Sequence, residues 1–125
     1  MTDENQQPVL SQEQIDSVIS LYSNRQYQEA IDAILVLDES YPNVPFLFNL
    51  IGACYKELGE LVGAVKMFEI ATSLSPNYSE AHFNLGVVYQ DLDQKELAIG
   101  SYKKAIEITP NYPSAHNNLG NTLRE

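Results

Sequence analysis

Apolar residues in this chain recur at helical spacing, in short runs that turn residues interrupt at regular intervals. Ile15, Val18, Ile19 and Tyr22 form one stripe, preceded by Ser11-Gln12-Glu13-Gln14. That tetrapeptide reads as a capping box, with the serine accepting from a first-turn amide and Gln14 reaching back. Asn24 is placed to end this helix in the left-handed region, which asparagine tolerates better than most residues. A second helix is expected from about Tyr27 to Glu39, with Ala30, Ile31, Ile34, Leu35 and Leu37 apolar, closed by Tyr41-Pro42. The pattern then starts again. Phe46 to Leu58 should be helical and stop at Gly59, Leu61 to Leu74 should form its partner, and Ser75-Pro76-Asn77 should close the pair. In the next round Ser79 is expected to cap a helix through Leu92, Asp93 takes the place of the turn glycine, and Lys95 to Ile108 returns before Thr109-Pro110-Asn111.

The recurrence has a period of 34 residues. Laid over one another, 45–78 and 79–112 match Gly52 with Gly86, Tyr55 with Tyr89, Leu58 with Leu92, Ala64 with Ala98, Phe68 with Tyr102, Ala71 with Ala105, and Pro76-Asn77-Tyr78 with Pro110-Asn111-Tyr112. The register runs backwards over 11–44, with Val18 where the small glycine would be, and forwards over 113–125, where Ala115, His116, Asn118, Leu119 and Gly120 repeat Ala81, His82, Asn84, Leu85 and Gly86. A period of this length implies stacked supersecondary units that share a continuous core. Small residues should mark places where helices approach closely: Gly52 and Gly86, with Ala64 and Ala98, let the two helices of a unit meet, and Tyr55, Tyr89, Phe68 and Tyr102 are expected to fill the space between one unit and the next.

These residues resemble the tetratricopeptide repeat family, in which a large residue, then Leu-Gly, Tyr, Ala, an aromatic, Ala and Pro recur over a unit of this length. The resemblance covers everything after about residue 10. It implies an all-α, right-handed superhelical solenoid of tandem helix-turn-helix repeats. The organisation expected is a disordered polar lead-in over 1–10, a divergent first repeat over 11–44, full repeats over 45–78 and 79–112, and over 113–125 the first helix of a truncated fourth repeat or a capping helix.

Charge narrows the partners. The chain holds 17 acidic and 7 basic residues. Eight of those carboxylates (Asp3, Glu4, Glu13, Asp16, Glu29, Asp32, Asp38, Glu39) face Arg25 alone within 1–44, which is −7 of the net −10. Nucleic acid and anionic membrane need clustered cations to bind, so neither is expected as a partner. Cys54 is the single cysteine, which rules out an internal disulfide, and its place between Ala53 and Tyr55 suits a buried packing residue. No basic start followed by an apolar run precedes the repeats, and a cytoplasmic location is the expectation. Asn77-Tyr78-Ser79 fits a glycosylation pattern but reads here as a turn before a helix.

No enzyme constellation stands out. The glycines are single, with no phosphate-cradling loop, and no base accompanies a nucleophile. His82 and His116 lie one period apart, and equivalent residues in stacked helices are about 8–10 Å apart, too far to share one metal. No third ligand accompanies them. Neither catalytic residues, a metal site nor a cofactor are expected.

The candidate chemistry is amide chemistry. In this family the first helices of successive units line a concave face that binds extended or helical peptides. Asn84 and Asn118 repeat within AHFNLG and AHNNLG, with Asn117 and Asn121 beside them. This resembles arrays with an asparagine ladder, including the repeat region of protein O-linked N-acetylglucosamine transferases, where amides that donate and accept grip a peptide backbone. Asn49, Ala53, Lys56, Phe83, Val87, Gln90 and Asp91 are expected on the same face. Leu50 stands where a further ladder asparagine would be, so the ladder is expected to be short. A carboxylate clamp of the kind that captures chaperone C-termini is not expected, because the comparable places (Ile15, Ile19, Asn49, Ala53, Ser114, Asn118) hold no cation. The function expected is a non-catalytic scaffold that binds a protein or peptide. Its alternatives are a substrate-presenting segment of a larger glycosyl- or sulfotransferase-like enzyme, and self-association through Leu119 and Leu123 of the last helix.

Overall fold

Seven helices in antiparallel succession account for almost all of the computed structural model, which describes residues 9–125. They are α1 (Gln12–Ser23), α2 (Tyr27–Ser40), α3 (Pro45–Glu57), α4 (Leu61–Leu74), α5 (Ser79–Asp91), α6 (Lys95–Ile108) and α7 (Pro113–Arg124). Each packs on the next, and there are no strands among the described residues. The all-α repeat stack read from the periodicity is the fold. The disordered stretch expected at the front lies outside the described residues except for Val9 and Leu10, and Leu10 packs against the first core cluster.

The capping box at Ser11 is present: the Gln14 amide donates to Ser11 Oγ (3.1 Å), and the Ser11 amide donates to Gln14 Oε1 (2.9 Å). Pro45 and Pro113 open α3 and α7, where a missing amide costs nothing. Two local expectations are corrected. Asn24 stays at φ −86, and the left-handed residue is Arg25 at φ 63. The turn within each unit has one shape. Arg25, Gly59 (φ 80) and Asp93 (φ 62) stand one period apart, each donating its amide three residues back over 3.0 Å, with the following amide bonding five residues back. Register, not residue type, decides which residue takes positive φ. Ser79 is not the cap of α5 either. The helix starts at Ser79 itself after Tyr78, and the serine hydroxyl accepts from Thr109 Oγ1 at 2.8 Å, tying the start of α5 to the end of α6.

The core is divided at the repeat junctions. Val18, Ala30, Ile31 and Ile34 of the first unit bury against Leu47, Leu50, Ile51 and Cys54 of the second. Ala64 and Phe68 of the second bury against Leu85 and Val88 of the third. The glycines make the crossings possible: a Cβ on Gly52 would lie 2.6 Å from the Phe68 ring, and one on Gly86 would lie 2.5 Å from the Tyr102 ring. Both rings are fully buried. The expectation that these rings fill the space between units is corrected: each sits on the glycine of its own unit, and Phe68 reaches Leu85 and Val88 of the next unit from that seat.

Candidate functional site

Helix α5 touches both α3 and α7, whereas α2, α4 and α6 make no comparable contacts among themselves. The stack is therefore closed up along α3, α5 and α7, which form its inner face. Of the amides expected there, Asn49 and Asn84 meet between α3 and α5. Asn84 Nδ2 donates to Asn49 Oδ1 (3.0 Å), and Asn49 Nδ2 donates to the Tyr78 hydroxyl (3.3 Å). Asn49 is only 6% exposed. It is a buried strut that holds Asn84, which is itself half-buried and whose carbonyl oxygen and second N–H make no bond among the described residues. Burial is the chief reason that the Tyr78 hydroxyl is pushed above its ordinary pKa; Glu80 adds to the shift and the Asn49 bond opposes it.

A second polar chain serves the other rung. The Tyr102 hydroxyl donates to Gln90 Oε1 (2.8 Å), and Gln90 Nε2 donates to Glu125 Oε1 (3.0 Å). Tyr102 is also raised in pKa, first by burial, against the opposing influence of the Asn118 side chain and with help from Asp91 and Glu125. Gln90 is thus engaged at both ends. Phe83 lies against the Tyr102 ring (centroids 5.8 Å apart) and the Tyr112 ring (5.2 Å), bridging the third unit to the start of α7. Ala53 packs against the Phe68 and Leu85 cluster, Lys56 and Val87 are half-buried, and Asp91 and Asn117 are exposed. Asn121 is exposed and accepts from Arg124 Nη2 (3.1 Å).

Leu50, in the ladder register, is buried in the core at 8% exposure. The rung before Asn84 is supplied by Asn49, one residue earlier. The signal that could have found this pairing is Tyr78, whose hydroxyl needs a partner once the turn buries it.

The histidines do something else. His82 Nε2 and His116 Nε2 lie 2.9 Å and 2.8 Å from the carbonyl oxygens of Pro76 and Pro110, each pinning the turn that precedes its helix. Cys54 is fully buried, and burial raises its thiol to about 11, with Glu57 adding to the shift. Among the described residues no helix is long and apolar enough to cross a membrane.

A cleft of about 540 Å³ opens elsewhere, between α1 and α2 at the leading edge of the stack, lined by Glu13, Ser17, Val36 and Leu37 among others. In the following units the places of Glu13 and Ser17 hold Leu47 and Ile51, then Ala81 and Leu85, all buried under the preceding helix. Polar residues there make this edge a solvated end of the stack.

Comparison with known proteins agrees with this architecture. A family model described as TPR repeat matches residues 52–93 and 94–124. The chain is 41% identical over 59 residues to anaphase-promoting complex subunit 3 of Dictyostelium discoideum, which is 47% of this chain and 6% of that protein. Among solved structures it is similar to the Sgt2 TPR domain from Aspergillus fumigatus (TM-score 0.84, 25% identity, 91% of this chain and 79% of that one). It is also similar to MamA (0.83, 20%, 89% and 65%) and to the first TPR of Spaghetti (RPAP3), solved bound to the HSP90 peptide SRMEEVD (0.85, 24%, 93% and 94%).

Proposed function

The chain belongs to the tetratricopeptide repeat family, and from that premise we propose that it is a non-catalytic scaffold whose inner face binds an extended segment of a partner protein. The observation that carries the reading is the Asn49–Asn84 bond. A buried amide, itself anchored to the Tyr78 hydroxyl, fixes the orientation of a half-exposed one between α3 and α5. An amide held in this way offers one donor and one acceptor to a peptide group, at no further cost in rotamer entropy on binding. Asn118 is the next rung, and Lys56, Val87, Asp91, Asn117 and Asn121 border the path, with Ala53 and Phe83 as its apolar floor.

The acidic peptide bound by the RPAP3 domain is not transferred to this chain. Ile15, Ile19, Asn49, Ala53, Ser114 and Asn118 offer it no cation, and the carboxylates along α1 and α2 would repel it. The matched proteins lend no support to the alternative in which this is the presenting segment of a larger enzyme.

The test is a peptide-display selection on the intact chain, followed by fluorescence anisotropy of the selected peptides against Asn84→Ala and Asn118→Ala. Each substitution is expected to weaken binding by about tenfold, the value of one hydrogen bond made in a desolvated groove, while far-UV circular dichroism stays unchanged. Peptides that bind both variants as tightly as the parent would overturn the proposal.

A further inference from the structure

The junctions between first helices of successive units reuse the same three register positions. Between α3 and α5 these hold Asn49, Tyr78 and Asn84, joined in one hydrogen-bonded chain. One period later they hold Phe83, Tyr112 and Asn118, and the Tyr112 ring lies against Phe83 with centroids 5.2 Å apart. One period earlier they hold Ile15, Val44 and Leu50, three side chains without a polar atom. Leu50 is buried in the core, and valine at 44 has no ring to lay over Ile15. An apolar cleft of about 440 Å³ remains at this junction, lined by Val9, Leu10, Ile15, Val44 and Phe46. It opens between α1 and α3, where the two later junctions carry a tyrosine ring.

We propose that this cleft anchors one large apolar side chain of the partner segment, phenylalanine before tyrosine, and so supplies the residue preference that backbone-gripping amides lack. The proposal rests on the reading of the inner face given above: Ile15 is one period before Asn49, and Phe46 belongs to α3, so the cleft stands at the front of that face. The chemistry of the occupant comes from the neighbouring junctions, where Tyr78 and Tyr112 take the place of Val44 and Asn49 bonds the Tyr78 hydroxyl. Ile15 replaces that asparagine. A hydroxyl entering here would lose water without gaining a partner, which favours a phenyl ring over a phenol. The chain's own residues 1–8, MTDENQQP, hold Met1 as their one large apolar side chain, which makes a partner the source of the ring. Stacked helices are about 8–10 Å apart and an extended chain advances about 3.3 Å per residue, so the anchored side chain lies about three residues from the peptide group that meets Asn84.

The cleft is tested by itself with N-acetyl-phenylalaninamide, titrated into the intact, methyl-labelled protein and followed by NMR. Saturable shifts are expected at the methyls of Leu10, Ile15 and Val44, weaker ones with N-acetyl-tyrosinamide and none with N-acetyl-glutaminamide. Val44→Tyr should abolish them by setting a ring in the cleft, and it keeps the fold: Tyr78 and Tyr112 hold the same position at φ −83 and −127, against −89 for Val44. Val9→Glu, at a residue 83% exposed, charges the lip instead and should weaken the shifts as well. Peptides selected on the intact chain should carry a large apolar residue at one fixed position and lose at least about tenfold in affinity to Val44→Tyr. Absence of methyl shifts overturns the proposal. Peptides weakened by Asn84→Ala but not by Val44→Tyr keep the inner-face reading and overturn this one, whereas the reverse pattern keeps the cleft and overturns the inner-face reading. A nuclear Overhauser contact between Met1 and Ile15 in the free protein, or a concentration-dependent dimer that Val44→Tyr dissolves, would make the chain itself the occupant and the proposal of a partner side chain would fail.

Discussion

Adding one methyl group to Gly86 sets two physical terms against each other, and the geometry decides between them. In a helix interior Gly→Ala is worth about 1 kcal/mol in favour of alanine, through backbone entropy. Against that, the new Cβ would lie 2.5, 2.6 and 2.9 Å from three carbons of the Tyr102 ring. Carbon–carbon contact is favourable only near 3.5–4.0 Å, so the ring must retreat by roughly 1 Å. It has little freedom to do so: it is fully buried, its hydroxyl is held by Gln90 at 2.8 Å, and Phe83 lies against its face. Overpacking of this kind costs about 1–3 kcal/mol, and loss of the hydroxyl bond adds about 1 kcal/mol. Gly86→Ala should therefore be destabilising by about 1–3 kcal/mol after the helical gain is deducted. Gly100→Ala is the internal control. It lies mid-helix in α6 with nothing within 4 Å of the added carbon, so only the helical term remains. It should stabilise by about 0.5–1 kcal/mol. Urea unfolding followed by far-UV circular dichroism reads both: with m of about 1–3 kcal/mol/M, the two midpoints should move in opposite directions. A Gly86→Ala midpoint at or above the parent's would refute the seating of Tyr102 on that glycine.

Two further outcomes follow from the same coordinates. Asp93 holds φ 62 in a turn that its counterpart Gly59 makes at φ 80, so Asp93→Gly should relieve the left-handed strain and gain about 0.5–1 kcal/mol in urea, a gain that a shift of the opposite sign would contradict. Cys54 binds its proton more tightly folded than unfolded, since burial lifts the thiol to about 11. The sign is then set: above about pH 9 the unfolded chain has lost that proton and the folded chain has not, so stability falls by about 1.4 kcal/mol per pH unit until the folded value is reached. Tyr22, Tyr78, Tyr89, Tyr102 and Tyr112, all raised chiefly by burial, steepen the alkaline limb further on. Melting curves between pH 8 and 11 check the slope, and Cys54→Ala should make its onset shallower.

Helix positions were legible because the repeat states them more than once. The spans of α4 and α6 agree with those read from periodicity, and α3 and α5 are shifted from theirs by one residue at each end. Apolar spacing, the Pro-Asn turns and the crossing glycines all point to the same register there. Errors arose where a residue's own preference was weighed above its place in the period. Asn24 is the better left-handed residue in isolation, yet the turn falls on Arg25, because two equivalent turns built on the same hydrogen bonds put it there. Ser79 is a good cap in isolation, yet its hydroxyl is engaged by Thr109 from the far end of the unit.

The inner face was harder to read, for a reason that lies in helix geometry. Superposing repeats residue by residue assumes that the same register faces the same way, and on that assumption Leu50 interrupts the asparagine ladder. One residue along a helix is a rotation of about 100°, so Asn49 should have pointed elsewhere. It reaches Asn84 because α3 and α5 touch, and because the buried Tyr78 hydroxyl gives its amide a second partner. The ladder is thus continued by packing between units, through a residue that does not obey the period, and its first rung is a support with no surface of its own to offer. Under the proposed reading, a directional preference of the inner face originates here: Asn84 is braced by Asn49 of α3, a partner that Asn118 does not share. Two amides of identical register thus have different neighbours, and a peptide running from one to the other meets them in an order that reversal of its chain would not reproduce.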